Sequence, residues 1–219
     1  MGGREHSDLR TGVRAGLPFA LATFVLGISF GVLAQPLMGS LAPIVMSIVV
    51  FAGAAQFAAL SVLAAGAGPA AAIAAGLLMN ARFLPMGIAA GPALAGRPWR
   101  RILRGQAIVD ASWALASRGD GSFDRGVLIG ATLPQGVAWV SGTVVGVLGG
   151  AALAHPERFG LDAIFPAFYL ALLVEEARGG RKLAAAAAGA AITLALMPVA
   201  PAGLPVIAAA LAALLGLRR

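Results

Sequence analysis

A stretch of 67 consecutive residues, Ala15 to Ala81, carries no charge at all. Two more charge-free runs follow, Gly126–Pro156 with 31 residues and Leu183–Leu217 with 35. A helix needs roughly 20 apolar residues to cross the hydrocarbon layer, so these runs are long enough for several crossings. A soluble domain of this length also needs a polar shell, and only 11 % of the 219 residues are charged, against 59 % hydrophobic. Soluble proteins hold about 25 % charged residues. The expected fold class is therefore all-α: a polytopic helical membrane protein with about seven membrane segments. A soluble enzyme, a disordered chain and a nucleic-acid binder are excluded on the same grounds. The net charge of +7 comes from loop and terminal arginines, as expected of cytoplasmic loops. Zero cysteines remove thiolate chemistry, and His6 and His155 lie outside the apolar runs, so no buried metal site is expected. The first apolar run reads as a true span rather than a cleavable signal.

Loop-forming residues divide the chain. Gln35-Pro36 to Ser40 ends a first segment at about Gly16–Ala34. Gly66 to Pro69 ends a second, Leu41–Ala65, and a third runs from Ala70 to Ala90. The Arg-rich stretch 97–125 contains Ile102–Ala116, which reads as one interfacial helix. A fourth segment covers Gly126–Leu153, and a fifth Leu161–Val174. After the charged loop Glu175–Lys182, two short segments are expected at Leu183–Val199 and Leu204–Leu217. The whole chain, 1–219, is expected to form a single transmembrane domain.

Pro18, Gly27 and Gly31 reappear about 115 residues later as Pro134, Gly142 and Gly146. This suggests repeat halves at 12–96 and 126–200, joined by 97–125. Three segments per half would invert the second copy, as in many secondary transporters. The arginine clusters at 4–14, 97–104, 178–182 and 218–219 should all be cytoplasmic. Three segments between Arg14 and Arg97 give the wrong parity for that, so one should not cross. Leu41–Ala65 is the natural candidate, because Gly53 stands where a glycine would break the helix into two halves.

Polar groups in hydrocarbon are costly and tend to have a task or a partner. A helix broken at Gly53 would offer free backbone N–H groups to a carboxylate, with Gln56 beside it; equally, Gln56 could bind a neighbouring helix. Asn80 and Arg82 lie inside the third segment, Arg82 as an anion contact, a counter-ion, or a cation snorkelling to the interface. Asp110, in an otherwise apolar window, is its natural partner; it could exchange protons, bind an ammonium group, or cap the helix that follows. Gly27-Ile28-Ser29-Phe30-Gly31 matches G-x-S-x-G by chance, because a hydrolase needs a strand–turn–helix context and a base there. No catalytic residue is expected. The spacing of Gly27 with Gly31, Gly87 with Gly91 and Gly142 with Gly146 suits close helix packing.

Several of these elements, in order, resemble the AzlC family of branched-chain amino acid permeases. They are Pro18 with Gly27–Gly31; Ala52-Gly53-Ala54-Ala55-Gln56-Phe57; Asn80-Ala81-Arg82-Phe83; Val109-Asp110-Ala111; and Trp139 through Gly142 and Thr143 to Gly146. The likeness runs from about Gly12 to Leu217. Phe83 stands where the family pattern has histidine, and Ala111 where it has glutamate. Any proton carriage by those groups in relatives would fall here to Asp110 alone.

The resemblance implies the large subunit of a two-component exporter of valine, leucine and isoleucine. It implies a multi-pass protein of the bacterial inner membrane, working with a small hydrophobic AzlD-type partner and no cofactor. On that reading Gly53, Gln56, Asn80 and Arg82 hold the amino-acid substrate, and Asp110 with Arg82 couples transport to protons. A vitamin-capturing membrane subunit of an importer fits the same size and helix count.

Overall fold

The structure, a computed structural model, describes residues 2–66, 68–150 and 180–200, with single positions 170, 174, 205, 208, 209 and 212. At 2–7 and 182 it describes the backbone alone. The expected segments at 161–174 and 204–217 lie outside the described residues apart from those single positions, as do His155 and the acidic end of the loop at 175–179. All regular structure among the described residues is helical; Ser117 and Phe123 form one isolated bridge.

Helix α1 runs Gly2–Met38 and carries Pro18 and Pro36 inside it. It outlasts its expected end at Ala34 because it is Gly39, not Pro36, that turns the chain. Gly39 adopts φ +72° and its N–H closes on the Gln35 carbonyl at 2.9 Å, a left-handed cap that glycine takes without steric cost. α2, Leu41–Val49, and α3, Gly53–Ala64, are the two halves of the second segment. The break falls where expected, but its left-handed residue is Phe51 at φ +43° rather than Gly53.

The third segment is also broken, into α4, Pro69–Asn80, and α5, Phe83–Ala90, the latter continued by a 3-10 turn, Gly91–Leu94. Pro85 explains the interruption. It has no N–H for the Ala81 carbonyl, which takes the Leu84 N–H instead at 3.1 Å. The single helix expected at 102–116 is two, α6, Pro98–Gly105, and α7, Asp110–Ala116. Ser112 stabilises the second start, its hydroxyl accepting the Val109 N–H at 3.2 Å and donating to the Ala107 carbonyl at 2.6 Å. α8, Arg125–Gly149, starts on Asp124, whose carboxylate accepts the Val127 N–H at 3.1 Å. α9 is Gly180–Leu196.

Two helical stretches, Asp8–Met38 and Arg125–Gly149, are long and apolar enough to cross a membrane; a third counts if Pro69–Asn80 and Phe83–Leu94 form one broken span. Gly53–Ala64 and Leu183–Leu196 are apolar but shorter. The protein is thus a helical membrane protein in which, among the described residues, full-length spans are few and interrupted ones common.

The chain separates into two compact units, 1–56 with 80–154, and 57–79 with 155–219. Neither coincides with the expected repeat halves. In the second unit, Gly189 on α9 stands against Ala209 and Ala212, and its carbonyl accepts the Thr193 hydroxyl at 2.9 Å.

The first unit is organised by α1 against α8. Gly12 lies on Val127, Gly16 on Ala131, Gly27 on Trp139–Thr143 and Gly31 on Thr143–Val147. From the other side, Gly130 meets Leu9–Val13, Gly142 meets Phe24–Ile28, and Gly146 meets Ile28–Gly31. These contacts are backbone to backbone: a Cβ at Gly27 would come within 2.6 Å of the Trp139 carbonyl oxygen. The pairs advance together along both helices, so α1 and α8 run parallel. Gly27 faces Gly142 and Gly31 faces Gly146, at the repeat spacing itself. An inverted repeat demands that its equivalent helices run antiparallel. The expectation of inversion, drawn from segment counting, is therefore corrected by the packing. Beside this pair, Ala90, Leu94, Ala107, Ala116, Phe123 and Leu128 form a second small core.

Candidate substrate site

Breaking a helix in an apolar setting exposes backbone groups that need partners. At the α2–α3 break, Gln56 supplies them. Its Oε1 accepts the Ala52 N–H at 3.3 Å and the Trp139 indole N–H at 3.0 Å. Its Nε2 donates to Ser47 Oγ at 3.0 Å. The Thr143 hydroxyl donates to the Trp139 carbonyl at 2.9 Å. Ser47 therefore donates to Thr143 Oγ1 across the remaining 2.9 Å contact. Gln56, Ser47 and Thr143 are all fully buried. This relay ties α2 and α3 to α8, with Phe30 of α1 stacked on the Trp139 ring at 5.9 Å between centroids. Gly53 is small because the Trp139 ring lies over it: a Cβ there would meet the indole at 3.1 Å.

Residues of three interruptions surround one cavity of about 340 Å³. Val50, Phe51 and Ala52 come from the first break, Asn80 and Phe83 from the second, and Gln106 and Ile108 from the third. The Gln106 amide also caps the end of α2, donating to the Val49 carbonyl at 3.3 Å. The walls are largely apolar. Against them, Asn80 Oδ1 is buried and has no hydrogen-bond partner among the described residues. A buried, unanswered amide oxygen is costly.

Arg82 and Asp110 meet as a bidentate pair, Nε to Oδ1 at 3.2 Å and Nη2 to Oδ2 at 2.9 Å. Asp110 sits in the first turn of α7, where a carboxylate is favoured. The Arg82 guanidinium lies over the Phe83 ring at 4.8 Å, and Phe83 lines the cavity. The pair is thus one aromatic ring away from the cavity, with side chains 32 % and 51 % exposed. α7 is held in place by Ser112 and by Trp113, whose indole N–H donates to the Met86 carbonyl at 3.3 Å.

The structure therefore brings Arg82 to Asp110, and sets Asn80 at the cavity. It puts Gln56 and Gly53 in a packed network with Trp139, Ser47 and Thr143. Of those three, Ser47 was not singled out in the sequence, and Trp139 and Thr143 entered only as part of the family resemblance. Their signal is faint: hydroxyls in apolar windows, and a tryptophan beside a glycine pair.

At the N-terminal ends of α1 and α8, Asp8, Arg104, Arg118, Asp124 and Arg125 line a second cavity of about 490 Å³. Here the arginines that parity set apart are on one side. Arg118 pairs with Asp124, and that hydrogen bond and charge push the guanidinium above its ordinary value. Burial raises the Asp124 carboxyl, but the Val127 N–H and Arg118 outweigh it and leave it lowered. The Ser122 hydroxyl and N–H lower Asp120.

Broken helices meeting at a small cavity, with an ion pair beside it and polar groups packed between the helices, mark a helical membrane protein whose interrupted segments carry its buried polar groups. The sequence profile of the AzlC protein family matches residues 18–153, and the chain belongs to that family. Among its relatives is the branched-chain amino acid transport protein AzlC of Bacillus subtilis, 25 % identical over 199 residues, covering 87 % of this chain and 78 % of that one. Another is an uncharacterized membrane protein of Archaeoglobus fulgidus, 29 % identical over 216 residues, covering 95 % and 93 %. No solved structure matches significantly.

Proposed function

We propose that this protein exports branched-chain amino acids across the bacterial inner membrane, together with a small hydrophobic AzlD-type subunit. One observation carries the reading: Asn80 Oδ1, buried and unanswered, beside a cavity lined by apolar residues and Gln106 where three helix interruptions meet. An α-ammonium group would supply the missing donor once the break at Ala81–Arg82 moves and uncovers it. Valine, leucine or isoleucine would rest its side chain on Val50, Phe83 and Ile108. The carboxylate would take the free N–H groups where α3 begins at Gly53, next to the cavity-lining Ala52. Gln56 contributes by holding that helix start in place.

Arg82 and Asp110 serve as the coupling pair. Protonating Asp110 would release Arg82, so one carboxylate can link proton movement to rearrangement of the break at Ala81–Arg82. The proposed topology has about seven segments and a cytoplasmic N-terminus. Its support is that α1 and α8 start at one end, among the arginines that the positive-inside rule puts in the cytoplasm. One of the segments between Arg14 and Arg97 then does not cross fully, and the α2–α3 pair is the one proposed.

The test is efflux of valine and leucine from a strain lacking its own exporters, with this chain expressed alongside a small hydrophobic partner. Efflux should rise above the empty-vector control and fall at least tenfold in Asn80→Leu, with membrane insertion checked by immunoblot. Unchanged efflux of an inserted wild-type protein would end the proposal.

A further inference from the structure

A groove runs along α5 and its 3-10 extension, lined by Phe83, Leu84, Gly87, Ile88, Gly91 and Pro92 and closed at one end by Arg101. It encloses about 630 Å³. Leu84 is 70 % and Ile88 78 % exposed. The two glycines make it a groove rather than a ridge. Nothing lies within 4 Å of where a Cβ at Gly87 would be. From Phe83 to Leu94 the lining element is roughly 18 Å long, close to one leaflet of a hydrocarbon core about 30 Å thick.

The charge at its end is positioned by α6. Trp99, Ile102 and Leu103 fall on one side of that short helix and Arg100, Arg101 and Arg104 on the other, by helical spacing. Arg104 donates to the Ala95 carbonyl at 2.7 Å, which fixes α6 against the end of the groove. The Arg100 guanidinium sits over the Trp99 ring at 5.1 Å. Arg101 makes no side-chain hydrogen bond or ion pair with any described residue. It is a free cation at the mouth of an apolar trough one leaflet long. Arg104 also lines the arginine-rich cavity at the starts of α1 and α8, so this mouth is on the side that the positive-inside rule makes cytoplasmic.

We infer that the groove is a binding site for an anionic phospholipid, with the phosphate on Arg101 and an acyl chain along α5. A zwitterionic lipid fits the trough as well but gains less from the cation. A free phosphate gains the cation and nothing from the trough. Because α5 carries Phe83 on this face and at the substrate cavity, the bound lipid would brace the cavity wall from outside.

The experiment is native mass spectrometry of the full-length protein, purified in detergent and stripped of lipid, then offered equal phosphatidylglycerol and phosphatidylcholine. Wild type should retain phosphatidylglycerol about fivefold over phosphatidylcholine, the preference expected of one interfacial cation. Arg101→Gln should remove the preference, and Arg101→Lys should restore most of it. Gly87→Leu puts a side chain into the trough, its Cβ meeting nothing within 4 Å, and should reduce retention of both lipids. Arg10→Gln, a cation elsewhere, should change neither. An unaltered preference in Arg101→Gln would overturn the inference. So would competition by glycerol phosphate as effective as by the lipid, or undiminished retention in Gly87→Leu, either of which would mark a simple anion site. Retention of a second protein chain in place of lipid, lost in Gly87→Leu, would also overturn it.

Discussion

Gly27→Ala tests the parallel seam between α1 and α8 with a single methyl group. The new Cβ would stand 2.6 Å from the Trp139 carbonyl oxygen, where ordinary contact begins at 3.4 Å. The obstacle is helix backbone and cannot rotate aside, so the helices must part by about 0.8 Å in an interior packed as densely as a crystal. A gap of that size forfeits a quarter to a half of each dispersion contact it opens. The loss extends along the seam, because Gly31, Gly142 and Gly146 share it. Overpacking costs about 1–3 kcal/mol, and the upper half of that range is expected here. Alanine returns roughly 1 kcal/mol of helix propensity over glycine. The net loss of about 1–2 kcal/mol should lower the unfolding midpoint by about 2–8 °C. Gly149→Ala is the control, at the end of the partner helix α8, with nothing within 4 Å of its Cβ; it should leave the midpoint unchanged or raise it. Tryptophan fluorescence during heating in detergent measures both. If Gly27→Ala is as stable as Gly149→Ala, the close parallel approach is wrong.

Gln56→Leu should be destabilising by about 1–3 kcal/mol, since it takes away the acceptor of the Trp139 indole and Ala52 N–H groups in a buried site; denaturant unfolding would show it, and no loss would remove the relay from the account. A double-mutant cycle on Arg82→Gln and Asp110→Asn should yield a coupling of about 0.5–1 kcal/mol, the size expected of a part-exposed bidentate pair, read from thermal midpoints. Asp124→Asn keeps an N-cap of equal rank on α8 and removes the charge paired with Arg118, so at neutral pH it should lower the thermal midpoint only slightly. Both Asp120 and Asp124 have folded values below the ordinary 3.8. Their contribution is thus whole above that value and lost as pH falls through the lowered ones. Acid unfolding below about pH 4 should accordingly be shallower in Asp124→Asn than in wild type.

Much of this was legible in the chain because it follows from local chemistry. Charge-free runs declare lipid-facing helices, and the break near Gly53 and the pairing of Arg82 with Asp110 follow from how few polar groups those runs contain. What escaped is the part set by distant contacts or by missing donors. The split at Ala81–Arg82 depends on Pro85, four residues after the carbonyl it cannot bond, which turns to the Leu84 N–H instead. The 102–116 stretch has continuous helical spacing, yet Ser112 starts a new helix within it. Ser47 meets Thr143 across 96 residues of sequence, and nothing local announces such a contact. Repeat spacing alone could not reveal direction: the same glycines serve parallel and antiparallel neighbours, and only the order of their contacts distinguishes the two.

The seam also bears on how the polypeptide can be divided. Turning α1 half a revolution about a line between the two helices would carry it onto α8, the relation that joins identical subunits in a symmetric dimer. A gene cut at the exposed turn formed by Gly119 and Gly121, both at positive φ, would leave one strip of the glycine zipper on each fragment. Co-expressed, the two fragments should find each other in the membrane and co-purify.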